Sequence, residues 1–270
     1  MKNMIAACAG GIVAIAALNA SSAVTVSGWG ELGFLSVIDH TIQFSKDGTE
    51  FDYDDDGGQD VLFPFSRLSV DINLGAKHTV VFLYQPLRIE TEALLDDSLL
   101  VDELVFEPGT PARFTYSFPF YRLSYLYNLT MPERFELGIG LSLQIRNATI
   151  AFASQNGEQY RDNRDVGPVP ALKLRGSYAI APQWRLGIEA DGIYAPISYL
   201  NGSDNDVTGA ILDAAFRAMY AVKEPLELYA SARYLGGGAE GTSEDDGPGD
   251  GYVSNWLHFF IVSLGFHYRF

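Results

Sequence analysis

The 270-residue chain carries 34 acidic residues against 18 Lys and Arg, a formal net charge of −16, and one cysteine, Cys8. Such acidity excludes a nucleic-acid partner, because phosphate binding needs clustered cations. A single cysteine excludes an internal disulfide.

Lys2, the apolar run from Ile5 to Leu18 and the small residues Ser21, Ser22 and Ala23 follow the order of a secretory signal peptide. Residues 1–23 are therefore expected to be cleaved, leaving 24–270 as one mature domain without cysteine and so without thiol chemistry. A buried first helix is the alternative. Ile5 to Cys8 also resembles a lipoprotein box, but the apolar core follows Cys8 instead of preceding it. Beyond this segment the chain has no uncharged apolar run long enough for a transmembrane helix.

From Val24 onward, period-two alternation predicts strands over 24–38, 61–74, 79–92, 112–127, 135–152, 169–180, 184–197, 208–221, 226–235 and 254–270. An even number of strands returns the chain to its starting side. Most of these exceed the roughly 9–11 residues that a tilted strand needs to cross a bilayer. Leu137, Ile139, Leu141, Leu143 and Ile145 share one face, opposite Glu136, Ser142, Gln144 and Arg146. The next three strands repeat the pattern, with Lys173 and Arg175, then Arg185, Glu189 and Asp191, then Asp213 and Arg217 on the polar side. A soluble sandwich or lipocalin-like barrel would turn the apolar face inward, and a membrane barrel would turn it outward. Tyr121, Tyr125, Tyr127, Trp184, Tyr220, Tyr234, Trp256 and Tyr268 fall mainly toward strand ends, where interfacial rings settle.

The connections alternate between short and long. Gly75–His78, Asn128–Arg134, Ala181–Gln183 and Val222–Pro225 are short; 39–60, 93–111, 153–168, 198–207 and 236–253 are long and hold most of the acidic residues. Short turns are expected at the periplasmic end and long acidic loops outside.

The last strand carries Val262, Leu264, Phe266, Tyr268 and Phe270 on one face and ends on that Phe. In this the chain resembles the bacterial outer-membrane β-barrel proteins, whose C-terminal strand with a terminal Phe is an assembly signal. The resemblance implies an all-β, transmembrane, antiparallel up-and-down barrel, ten-stranded here, in the outer membrane of a Gram-negative bacterium. It implies outer-membrane lipids including lipopolysaccharide, and the barrel assembly machinery, as partners.

If the turn at Ala181–Gln183 closes symmetrically, Arg175 faces Glu189 and Lys173 faces Asp191; the turn at Val222–Pro225 would place Asp213 opposite Arg233. With Arg67, Asp71, Arg122, Glu136, Arg146, Arg217 and Glu227 these form a charged lumen. Paired long side chains in so narrow a barrel would plug it, whereas the same charges lining water would make a narrow passive pore for small solutes or ions. Neither role requires catalysis. Asp52, Asp54, Asp56 and Gly57 match the start of a calcium loop, although Phe63 stands where its bidentate Glu belongs, which favours diffuse cation attraction over a defined calcium site. The histidines that hydrolytic machinery could use are His40, His78, His258 and His267. No Ser lies two residues from a His in the manner of the lipid A deacylases, and no acidic pair adjoins a His in the manner of the omptin proteases. Barrel closure could bring His40 to His258, the one arrangement that would suggest an outer-membrane hydrolase.

Overall fold

A computed structural model describes residues 24–196, 206–243 and 249–270, without the side chain of Arg146. The signal-peptide expectation for 1–23 lies outside the described residues.

The chain forms β1 (Val24–Phe44), β2 (Phe51–Asp52), β3 (Leu62–Leu74), β4 (His78–Gln85), β5 (Arg88–Leu94), β6 (Leu99–Val101), β7 (Leu104–Phe106), β8 (Pro111–Ser117), β9 (Phe120–Leu129), β10 (Phe135–Ser154), β11 (Tyr160–Ala181), β12 (Trp184–Pro196), β13 (Asp206–Lys223), β14 (Leu226–Thr242) and β15 (Tyr252–Arg269). Two barrel strands are interrupted by proline: β4 runs on into β5 across Pro86, and β8 into β9 across Pro119, with one register throughout. Counted so, ten antiparallel strands follow one another around the wall, and β15 pairs with β1 to close it. Pairing of β3 with β4 stops at Leu68 and Tyr84. Pro64 and Pro86, which lack N–H donors, stand just beyond that point on the two facing strands.

The predicted strands are all present, but several are longer at the loop end than alternation suggested. The long connection expected over 153–168 is a five-residue turn, because β11 begins at Tyr160 and pairs back to Ala153. β1 extends through Phe44 and β14 through Thr242, so parts of 39–60 and 236–253 are also strand. Those residues satisfy backbone groups by pairing; the charges in 161–165 and the glycines in 236–241 hid the alternation. The expected turns are short, with Gly75 in the left-handed region at φ 65°.

The outer face decides the environment. Leu32, Leu141, Leu172 and Leu264 are 72%, 62%, 69% and 72% exposed, within a belt of outward Leu, Ile, Val and Phe on every side. Soluble monomers rarely expose contiguous apolar patches beyond a few hundred Å². The charges point inward at the same height, which is the reverse of the lipocalin-like alternative and the arrangement of a membrane-spanning barrel.

Inside, six of the ten wall strands change character at a common level. Moving toward the loop end, Glu31 gives way to Leu35, Arg67 to Phe65, Gln85 to Leu87, Arg122 to Phe120, Arg233 to Leu235 and Ser263 to Ile261, all buried. The loop half is therefore an apolar core. Phe51 and Tyr53 from the 45–60 segment, and Leu95, Leu99, Val101 and Phe106 around the β6–β7 hairpin, pack into it. Ser45 Oγ donates to Asp102 at 2.8 Å, and Thr49 N to Leu100 O at 2.9 Å, tying the two segments together. The 45–60 and β6–β7 segments are thus lids on the lumen as well as surface, whereas the expected loop at 198–207 lies almost wholly outside the described residues.

Candidate functional site

Below the apolar core the inward side chains form a closed circuit of alternating charge. Glu31 accepts from Arg217 at 3.0 Å and Arg233 at 3.2 Å, and Arg233 also reaches Asp213 at 2.6 Å. Asp213 accepts from Arg122 at 2.9 Å, and Arg122 lies 2.8 Å from Asp191. Lys173 joins Asp191 at 2.8 Å to Glu189 at 2.6 Å, and Arg217 returns to Glu189 at 2.7 Å. Arg67 adds a bond to Asp213 at 3.0 Å, and Arg175 links Glu189 at 3.2 Å to Asp71 at 2.5 Å. Neutral side chains complete it: Gln85 accepts from Arg67, Gln144 from Arg122, and Trp29 Nε1 donates to Asp71 at 3.0 Å.

These contacts join opposite walls, Arg122 on β9 to Asp213 on β13 and Arg175 on β11 to Asp71 on β3. At hydrogen-bond distance the paired side chains touch across the lumen. Six cations meet five carboxylates, so the circuit holds one positive charge in excess. A buried charge without a partner costs several kcal/mol, which explains why nearly every guanidinium here bridges two acceptors.

Of the residues expected in the lumen, Arg67, Asp71, Arg122, Lys173, Arg175, Glu189, Asp191, Asp213, Arg217 and Arg233 come together in this circuit. Arg175 does stand opposite Glu189, and Lys173 opposite Asp191. The expected pairing of Asp213 with Arg233 is corrected. The turn lies at Glu224–Pro225 with an irregularity at Val222, so Asp213 faces Leu235 and Ala215 faces Arg233. The long Arg233 side chain still reaches Asp213 diagonally. Glu136 belongs to the rim, not the network: its side chain is 72% exposed and meets Ser177 and Arg185. Glu227 forms a separate cluster with Arg185 at 2.8 Å, His267 at 2.8 Å and Arg269 at 3.2 Å. The side chain of Arg146 lies outside the described residues.

Glu31, the acid that anchors two arginines and Ser263, was missed. A lone acid amid the apolar and glycine residues of the first strand was the available signal.

His40 and His258 do not meet. β1 and β15 are neighbours there, but an irregularity at Ile38 shifts the pattern, so that His40 points inward opposite Leu257 while His258, between the inward Leu257 and Phe259, points out toward Tyr234. His40 is fully buried, with Nδ1 2.8 Å from Gln59 Oε1 and its ring stacked on Tyr53 at 4.3 Å. An amide and aromatic rings are surroundings for a neutral imidazole and supply no nucleophile.

In the 45–60 segment, Asp52 Oδ1 accepts from the backbone of Asp54 at 2.8 Å and Asp55 at 3.3 Å, an Asx turn that engages it locally. Partial burial, then the charges of Asp52 and Asp55, push the Asp54 and Asp56 carboxyls up. Among the described residues no three His, Cys, Asp or Glu side chains gather closely enough to hold an ion.

No family model and no curated protein matches the chain. Solved structures similar to it include the outer membrane protease OmpT from Escherichia coli, 14% identical over 91% of this chain and 97% of that one, with a TM-score of 0.48. A Pseudomonas aeruginosa FadL homologue is 8% identical over 91% and 90%, with a TM-score of 0.39. Ail of Yersinia pestis, solved with the heparin analogue sucrose octasulfate, is 13% identical over 91% and 99%, with a TM-score of 0.35. The structural neighbours are bacterial outer-membrane β-barrels. At such values they describe shape, and the site has to be read from its own residues.

Proposed function

We propose that this is a non-enzymatic integral protein of the outer membrane of a Gram-negative bacterium, a barrel with a sealed lumen and an acidic cell-facing surface. Short turns and both ends of the described barrel lie on the periplasmic side, and the long loops face outward. One observation carries the reading: the charge circuit joins opposite walls at hydrogen-bond distance, and an apolar core lies across the lumen above it. Two successive layers of different chemistry oppose ion passage by different means, the first by filling the section and the second by excluding charge. The acidic loops suit a surface screened by divalent cations among lipopolysaccharides, and the C-terminal strand suits recognition by the barrel assembly machinery.

Conductance in planar bilayers tests this. The refolded mature protein is expected to insert without ion steps, and Arg122→Ala together with Asp213→Ala to stay silent as well, because the apolar core above the circuit still closes the section. Reproducible steps from the parent, altered by Arg175→Ala, would establish the narrow pore instead.

A further inference from the structure

Beneath the charge circuit the lumen opens at the turn end as a cavity of about 600 Å³. That is within the usual range of small-molecule sites, roughly 300–1,000 Å³. Trp29, Asp71, Arg175 and Arg217 form its roof, and Arg185 and His267 its wall. The charges here are unequally exposed. Arg185 and Arg269 are 23% and 50% accessible, while the carboxylate they share, Glu227, is 8% accessible. Arg175 is 21% accessible, and its partners Asp71 and Glu189 are 6% and 4%. The acids therefore sit behind the guanidinium groups, and the cations face the open space. Glu227 serves His267 and two arginines at once, and the second carboxylate on Arg185, Glu136 at 3.3 Å, is itself 72% exposed at the rim. Glu133 and Glu136, at the rim, are the acids that an entering anion has to pass.

We propose that this vestibule binds a small anion through a carboxylate or phosphate group held by Arg175 and Arg185. Planar guanidinium groups already positioned by buried acids lose little freedom on gripping an oxyanion, and their remaining N–H donors suit its geometry. The anion comes from one of two sources, a soluble solute of the periplasm or the headgroup phosphate of an anionic lipid in the adjoining leaflet. The site does not depend on whether the circuit above it conducts, so its failure and that of the sealed-lumen reading are read separately.

The test is calorimetric titration of the refolded protein in neutral detergent with inorganic phosphate and with citrate. It is paired with thermal unfolding in nanodiscs of phosphatidylcholine with or without phosphatidylglycerol. Saturable binding in detergent, weakened roughly tenfold by Arg185→Gln and tightened by Glu136→Gln, identifies a soluble anion. Stabilisation by phosphatidylglycerol alone, lost in Arg185→Gln, identifies the headgroup. Arg113→Gln, at the opposite end and 57% exposed, is the control and should match the parent. Boiling-dependent gel migration verifies that each variant is folded. Absence of both effects, or equal weakening by Arg113→Gln, overturns the proposal.

Discussion

Asp213→Asn distinguishes a dry charge network from a hydrated one. Asp213 accepts from Arg67 at 3.0 Å, Arg122 at 2.9 Å and Arg233 at 2.6 Å, with its side chain 2% exposed. Each charge-assisted bond is worth about 1.5–3 kcal/mol gross, offset by desolvation of the carboxylate. Arg122 keeps Asp191 and Arg233 keeps Glu31, but Arg67 is left with Gln85 alone, and the positive excess grows from one to two. Removing one partner of a buried pair costs about 3–5 kcal/mol, and that is the expected loss. Arg67→Gln removes the excess cation instead. It gives up the bonds to Asp213 and Gln85, yet Asp213 retains two guanidinium groups, so the expected loss is only about 1–2 kcal/mol. Equilibrium urea unfolding in lipid vesicles, followed by tryptophan fluorescence and by gel migration before and after boiling, measures both. A loss below about 1 kcal/mol for Asp213→Asn, or equal losses for the two variants, would show that water screens these charges, and the sealed lumen would be refuted.

Deleting Phe270 should separate assembly from stability. Its ring is 79% exposed and its N–H donates to Val26 O at 2.9 Å across the closing seam, so unfolding in vitro should change by only about 1 kcal/mol. Yield of folded barrel in cells should fall severalfold, and a form that inserts as well as the parent would remove the C-terminal strand as the signal. In the 45–60 loop, calcium should bind weakly, with equal affinity in the parent and Asp54→Asn, and should be displaced by salt; saturable binding lost in that variant would establish a defined site. Because the Asp54 and Asp56 carboxyls are raised, their repulsion acts above those values and is relieved as pH falls through them. Hydrogen exchange in this loop should therefore slow at acid pH once corrected for intrinsic rates, and Asp54→Asn should flatten that dependence.

Alternation was enough to place the wall. A strand has a side-chain period of two, so inward Lys173, Glu189, Asp191 and Arg217 and outward Leu141, Leu172 and Leu264 could be assigned from order alone. After β11 the turn is Pro182–Gln183 with an irregularity at Ile180, and the two together leave Lys173 opposite Asp191, as a symmetric three-residue turn predicts. Even the change from polar to apolar interior is written in the chain, in Arg67 after Phe65 and Arg233 before Leu235, although its meaning emerges only when the strands stand side by side. Irregularities were not legible. One at Ile38 turned His40 into the core, away from His258, and a turn set at Glu224–Pro225 with an irregularity at Val222 placed Asp213 opposite Leu235, two residues from Arg233; neither irregularity carries a residue signature. Only the tertiary structure decided that Glu31 joins Arg217 and Arg233, that Arg122 crosses the lumen to Asp213, and that Phe51 and Tyr53 fold inward as part of the closure. Those contacts connect positions far apart in the chain, and they depend on the curvature of the whole barrel, which no local period encodes.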